Sequence, residues 1–199
     1  MSNVMGLHAA GVEPASSAFR RVRRASRLFS WLFTALLWAL SVLAAAMALA
    51  MLIYAGPHLQ VTSHSFELTN RTNILPGAVV VGTLPFATKL AYAIVAVLRT
   101  APAVMMFWNL RALFRLYSQG VVFASENTAA IKRVGLWLVA AAFMPFASHM
   151  FLSALGREVD HAWFHMEEVQ ALVLGGLVFV IAQVMQVGRE IEEDRSQFV

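Results

Sequence analysis

The chain has 199 residues, of which 59% are hydrophobic and only 13% are charged, a composition too apolar for an ordinary soluble domain of this size. Cysteine is absent, which excludes disulfide frameworks, Cys-ligated zinc, iron–sulfur clusters and thiol catalysis. The formal net charge is +4, but the basic residues lie beside apolar runs rather than along one soluble face, so we expect a lipid bilayer and no nucleic acid as partner.

Four apolar runs are each long enough to cross about 30 Å of hydrocarbon, which takes about 20 helical residues. A basic segment, residues 1–27, precedes the first run, and an acidic tail, residues 188–199, follows the last. The first run is longer than the core of a signal peptide, which has about 7–15 apolar residues. The sequence therefore predicts an all-α integral membrane protein whose four-helix domain covers residues 28–187. The predicted spans are 28–55, 90–110, 134–155 and 169–187.

Lysine and arginine residues divide unequally between the two sides of the predicted membrane domain. Cytoplasmic flanks carry the excess of these residues in membrane proteins. With the N-terminus inside, Arg71, Lys89 and Arg157 lie outside, and Arg99 falls within the second span. The remaining eleven of the fifteen are cytoplasmic: Arg20, Arg21, Arg23, Arg24, Arg27, Arg111, Arg115, Lys132, Arg133, Arg189 and Arg195. This division predicts that both termini face the cytoplasm.

The connection between the first and second spans, residues 56–89, is the longest external one. Polar and apolar residues alternate in part over residues 59–68, and residues 77–83 are rich in β-branched side chains. Both patterns favour strands. We therefore expect a short hairpin in this first external loop.

The segments that follow the second and fourth spans share one pattern. Residues 120–128 and 188–196 each read glycine, two residues, a large apolar residue, two residues, an acid, a polar residue and a hydroxyl. One explanation is local: the glycine ends a helix in the left-handed conformation, the apolar residue folds back, and a polar group caps the next helix. The other is duplication of a helix hairpin. The local explanation predicts that Glu126→Gln and Asn127→Asp leave the abundance of the protein almost intact.

The connection between the second and third spans also resembles a known family. It reads LFRLYSQGVVFASEN at residues 113–127, followed by IKRVG at residues 131–135. These stretches are similar to the family catalogued as domain of unknown function 2975 (DUF2975). A glycine, phenylalanine, glutamate and asparagine pattern is typical of that family, and here it falls on Gly120, Phe123, Glu126 and Asn127.

The resemblance covers about residues 28–199 in layout and includes the glycine and acidic residues after the fourth span. Residues 194–197 depart from it, because the family's C-terminus is expected to be rich in acids and asparagine. Members are small bacterial four-helix membrane proteins, which implies a multi-pass protein of the bacterial inner membrane. The family has no established activity, so the resemblance leaves the function open.

Arg99 lies within a predicted span, where a charge is costly and by default indicates function or a buried partner. At 1.5 Å per residue, Arg99, His149 and Glu168 lie about 24, 22 and 28 Å from the inner ends of their helices. All three would therefore lie in the outer half of the membrane, where they, or Glu167 in place of Glu168, could form a polar cluster. Alternatively, Arg99 extends its side chain to the interface or caps a carbonyl that Pro102 leaves unpaired.

Four of the six histidines lie outside in this topology, near acidic residues. Of these, His161 and His165 are four residues apart and would share one face of a helix. Imidazole and carboxylate groups suit zinc binding or proton sensing. The segment lacks the His-Glu-x-x-His pattern of metalloproteases, however, and no phosphate loop or nucleophile elbow occurs elsewhere. We expect no metal site, no cofactor and no catalytic residues.

Both polar motifs lie on the predicted cytoplasmic side. The preferred hypothesis is accordingly a non-enzymatic inner-membrane protein, regulatory in role, whose 117–133 connection and C-terminal tail contact a cytoplasmic protein partner. The alternative is an outer-facing sensor or carrier for a small molecule, an ion or protons, with a pocket around Arg99. A carrier of only four helices would be expected to form a homo-oligomer.

The topology can be tested with a reporter enzyme that is active only outside the cytoplasm. Fusions after Arg71 or Asp160 should be active, and fusions after Ser125 or Val199 should be inactive, because the charge division places the latter two sites inside. Activity of the Val199 fusion would contradict an even number of spans.

Overall fold

The computed structural model describes residues 17–61, 66–69, 78–121, 124–156 and 166–197. Its helices are α1 (Ser17–Ile53), α2 (Phe86–Gln119), α3 (Ser125–Ala154) and α4 (Met166–Gln197). All four are long and apolar enough to cross a membrane, which confirms the predicted four-helix membrane fold. Each helix is longer than its predicted span, because an apolar run marks only the part of a helix that lies in hydrocarbon.

The C-terminal helix does not end where the sequence pattern suggested. α4 continues through Gly188 to Gln197, whereas α2 ends at Gly120 in the left-handed conformation. The prediction that both glycines end a helix is therefore wrong for Gly188. Gly120 is followed by the β-branched pair 121–122, whereas Gly188 is followed by Arg, Glu and Ile, most of which favour helix. The shared pattern of residue types does not produce a shared local structure.

The loop between α1 and α2 contains the expected hairpin and one further strand. β1 (Leu59–Val61) pairs antiparallel with β2 (Phe66–Leu68) and, on its other edge, with β3 (Val79–Val80). The sheet order is β2-β1-β3. Apolar side chains of the sheet pack on the adjoining ends of α1 and α2 in one buried cluster, formed by Met51, Leu59, Val61, Val81, Ala93 and Ala96. The loop thus extends the core beyond the helices.

Each helix packs chiefly on its neighbour in sequence: α1 on α2, α2 on α3 and α3 on α4. We call the end at which α1 begins and α4 ends the N/C end, and the opposite end the sheet end. At the N/C end, residues of α2, α3 and α4 meet in a second cluster that consists of Leu113, Ala130, Ile131 and Ala182. α1 joins α2 through aromatic rings, with centroids 5.1 Å apart for Phe29 and Phe114 and 5.4 Å apart for Phe33 and Phe114.

Much of the apolar surface of the helices points outward. On α1, Trp31 and Trp38 are 73% and 63% exposed, and on α4 Val173 and Val184 are 66% and 65% exposed. A soluble monomer rarely presents contiguous apolar surface of this extent. In a bilayer the same surface contacts lipid, so the exposure agrees with the membrane fold.

α3 and α4 approach each other closely at two glycines. A Cβ atom built on Gly175 would lie 2.9 Å from Val139 Cγ2 and 3.1 Å from the Gly135 carbonyl oxygen. A Cβ atom on Gly135 would lie 3.2 Å from the Gly175 carbonyl oxygen. Small residues at such crossings allow helix backbones to pack directly in membranes, where helix association depends on van der Waals contact.

This crossing predicts that Gly175→Leu lowers the free energy of unfolding by about 1–3 kcal/mol, the usual cost of overpacking. Gly176→Leu is the matched control, since a Cβ atom at Gly176 meets nothing within 4 Å. Thermal unfolding of both variants in detergent, followed by circular dichroism, checks the prediction. Equal melting temperatures for the two variants would contradict the close crossing.

Candidate functional site at the N/C end

The turn between α2 and α3 begins with a Schellman motif. Gly120 has φ 90° and donates its N–H to the Tyr117 carbonyl at 3.0 Å, and Val121 donates to the Leu116 carbonyl at 3.1 Å. These two bonds satisfy carbonyls that the end of a helix otherwise leaves unpaired. Glycine adopts a positive φ without the steric cost that a Cβ atom brings. The expected left-handed conformation of Gly120 is therefore present.

Asn127 holds the other side of this turn. Its side chain is 0% exposed, and its Nδ2 donates to the Val121 carbonyl at 2.8 Å. The N-cap of α3 is Ala124, which makes no side-chain capping bond. The expected polar cap is thus replaced by a bond from within the first turn of α3 back to the turn. Because Asn127 is buried, the expectation that Asn127→Asp is tolerated conflicts with the structure.

The other two residues of the family-like motif have different positions. Glu126 is exposed in the first turn of α3, and its Oε2 accepts a hydrogen bond from Ser125 Oγ at 3.2 Å. Phe123 lies outside the described residues. Gly120 and Asn127 therefore shape the connection, whereas Glu126 presents a negative charge at its surface.

The beginning of α1 adds a basic surface to the N/C end. α1 already includes Arg20, eight residues before the predicted span begins, and it touches the same turn, since Arg23 Nε donates to the Ser118 carbonyl at 3.2 Å. Ser26, 3% exposed, marks the side of α1 that is buried. The arginines before the span are all exposed: Arg20, Arg21, Arg23, Arg24 and Arg27.

The end of α4, also at the N/C end, is acidic in sequence, in contrast to the basic beginning of α1. α4 runs to Gln197, ten residues beyond the end of the predicted span at Val187, which corresponds to about 15 Å of helix. Ile191 on this extension is 56% exposed. Its acidic residues are Glu190, Glu192, Glu193 and Asp194.

A groove of about 220 Å³ lies between the beginning of α3 and the end of α4. Across it, Lys132 Nζ donates to Gln186 Oε1 at 3.0 Å, and Gln186 Nε2 donates to Glu190 Oε1 at 3.1 Å. The groove is lined by Ser125, Thr128, Ala129, Lys132, Gln186 and Arg189. From the sequence, Lys132 and Arg189 indicate only the topology, because nothing in the sequence places these two residues beside each other.

The three residues of the predicted intramembrane cluster, Arg99, His149 and Glu168, differ in how deeply they are buried. Arg99 is exposed on α2 and, among the residues that the structure describes, makes no hydrogen bond or ion pair. Glu168 is only 8% exposed at the beginning of α4, and His149 is half-buried on α3. Arg99 is therefore not bonded to either residue, and the cluster itself stays a prediction. The exposed guanidinium agrees with an arginine that extends toward the interface.

The histidine pair that the sequence predicts to be external, His161 and His165, falls outside the described residues. The expectation that they form no tight zinc site stays a prediction. His58, which is described, contacts the Thr69 carbonyl oxygen through Nδ1 at 3.1 Å, within the hairpin. That contact gives His58 a structural role in closing the loop.

The family model for Protein of unknown function (DUF2975) matches residues 78–197. The chain belongs to this family. The DUF2975 match contains α2, α3, α4 and the turn built by Gly120 and Asn127, and it begins later than the 28–199 extent of the sequence resemblance. Comparison with curated proteins gave no match. Comparison with solved structures gave none either.

The buried position of Asn127 in the DUF2975 turn predicts that Asn127→Asp is destabilising. The substitution removes the donor to Val121 and places a carboxylate 2.8 Å from a carbonyl oxygen, at a cost of about 3 kcal/mol. Glu126→Gln, at an exposed position one residue away, should change stability little. Melting temperature and the monodisperse fraction in size-exclusion chromatography check both variants. If Asn127→Asp were as stable as Glu126→Gln, the turn would not depend on this bond.

Proposed function

We propose that this DUF2975 protein is a non-enzymatic membrane protein whose N/C end holds a cytoplasmic protein partner with a basic surface. The observation that carries the proposal is the extension of α4 through Gly188 to Gln197, beyond the apolar run. A helix that continues past its apolar run into an acidic sequence with an exposed apolar side chain resembles an interaction helix more than a lipid-facing one.

The chemistry of the extension defines the partner. Ile191 is 56% exposed and lies four residues, about 6 Å, past the predicted span, so covering it would stabilise a complex. Four acids lie within four residues of it, and complementary charge steers a basic partner and selects against an acidic one. The proposed partner therefore combines an apolar contact with lysines or arginines around it.

The rest of the N/C end supports this surface. Gln186 is bonded to Lys132 on α3 and to Glu190 on the extension, which connects the extension to the helix pair. Ala182, one turn earlier, is 0% exposed in the cluster shared by α2, α3 and α4. A surface held in place before binding loses less conformational entropy when the partner binds.

The alternative, an outer-facing sensor or carrier around Arg99, also stays a proposal. It requires a partner or a ligand for the guanidinium, and Arg99 makes no bond within the described part of the chain. We favour the partner-binding function because the helical extension, the exposed Ile191 and the bond from Gln186 to Glu190 support it.

The experiment is site-specific photo-crosslinking in native membranes. Benzophenone is introduced at Ile191 and, as the matched control, at Val184, which lies two turns earlier on the same helix face and is 65% exposed. We expect a specific crosslinked protein at Ile191 and none at Val184, and a weaker crosslink with Asp194→Asn or at high salt, which screens charge.

Three outcomes would contradict the proposal. They are the absence of a crosslink at Ile191, equal crosslinking at Val184, and a product that contains two copies of this chain. The last outcome would indicate instead that the acidic extension meets the arginines of a second copy.

A further inference from the structure

The side chains that line the groove between α3 and α4 are cationic or polar, apart from Ala129. It carries two cationic side chains, Lys132 and Arg189, and two hydroxyls, Ser125 and Thr128, with no carboxylate in its lining. Glu126 and Glu190 are nearby but exposed, and their carboxylates are engaged by Ser125 Oγ and Gln186 Nε2. The interior of the groove is therefore cationic and rich in donors.

Lys132 retains donor capacity toward the groove. An ammonium group has three donors, and the bond to Gln186 at 3.0 Å uses one of them. Arg189 is half-buried, so its guanidinium lies partly out of water and interacts more strongly with an anion than a fully solvated one does. Lysine and arginine together are the usual phosphate-binding side chains.

Thr128 gives independent evidence for a ligand. Its side chain is 8% exposed and lines the groove, yet its hydroxyl makes no hydrogen bond with the residues that the structure describes. The hydroxyl oxygen is not one of the fully enclosed polar atoms that lack a partner, so a ligand in the groove can reach it. An oxygen of a bound anion would complete the hydroxyl's bonding.

The position of the groove also fits this chemistry. Lys132 lies two residues before the predicted span 134–155, and Arg189 lies two residues after the predicted span 169–187. Both cations are therefore at the level of lipid headgroups. Basic pockets between membrane helices at this level suit phosphorylated headgroups.

We propose that this groove binds a phosphate group carried by a small polar molecule, either a soluble phosphate ester or the headgroup of an anionic phospholipid. Lys132 and Arg189 contact the phosphate oxygens, and the hydroxyl of Thr128 donates to one of them. The site does not depend on the protein partner proposed above, because none of its lining residues belongs to the exposed face around Ile191.

The test uses the full chain and two probes. Binding of glycerol 3-phosphate is measured by calorimetry in a zwitterionic detergent, and retention of phosphatidylglycerol is measured by native mass spectrometry after reconstitution. Lys132→Gln should weaken binding by about tenfold or more, as expected for loss of a charge-assisted bond. Arg133→Gln is the matched control, since it removes the same charge from an adjacent exposed residue outside the groove and should change affinity by less than about twofold.

Thr128→Val gives a second variant that keeps the side-chain shape and should weaken binding by about threefold or more. Lys132→Gln also loses the bond to Gln186. If that variant lowers the melting temperature of the free protein, the effect of Thr128→Val on affinity tests the site instead. Binding of the ester alone identifies a soluble ligand, and retention of the lipid alone identifies a headgroup. Absence of binding of both probes, or equal effects of Arg133→Gln and Lys132→Gln, would overturn the proposal.

Discussion

Hydrocarbon offers no hydrogen-bond partner to a peptide group, so each backbone N–H and C=O within the membrane must be paired inside the protein. α1 to α4 meet this requirement along their lengths, and the carbonyls that each helix leaves unpaired at its end need partners in the connections. At the N/C end the carbonyls of Leu116, Tyr117 and Val121 are all satisfied within one tight turn. The turn combines a left-handed glycine with a buried asparagine, and it fixes where α3 begins relative to α2.

At the sheet end, the backbone groups of the connection are paired in a different way. Its longer connection pairs backbone groups across β1, β2 and β3 and buries apolar side chains of the sheet on α1 and α2. Between the two ends, association of α3 with α4 depends on the approach of Gly135 to Gly175. Large apolar residues are left on the outside, where lipid covers them. At this crossing small residues therefore lie between the helices, while many large apolar residues face outward.

The N/C end carries three chemically different surfaces. α1 begins with exposed arginines, α4 ends in an acidic sequence that contains an exposed isoleucine, and a cationic groove lies between α3 and α4. The bond chain from Lys132 through Gln186 to Glu190 joins the groove to the acidic extension. Arg189 of the groove and Glu190 of the acidic extension are neighbours on α4, so the cationic and acidic surfaces adjoin each other. These described surfaces make the N/C end a better candidate for function than the region around Arg99, which makes no bond within the described part of the chain.

The sequence alone determined the number of membrane helices, because an apolar run of sufficient length has no other stable environment. It also determined the hairpin in the first loop and the left-handed glycine at Gly120, since both depend on residue types a few positions apart. Tertiary structure decided the rest. Gly188 matches Gly120 in local pattern yet lies inside a helix, Asn127 is buried rather than an exposed cap, and Lys132 meets Gln186 across 54 residues of chain. Local propensity cannot specify such contacts, because they arise only when separate helices pack, and packing is what brings Lys132 and Arg189 to one groove.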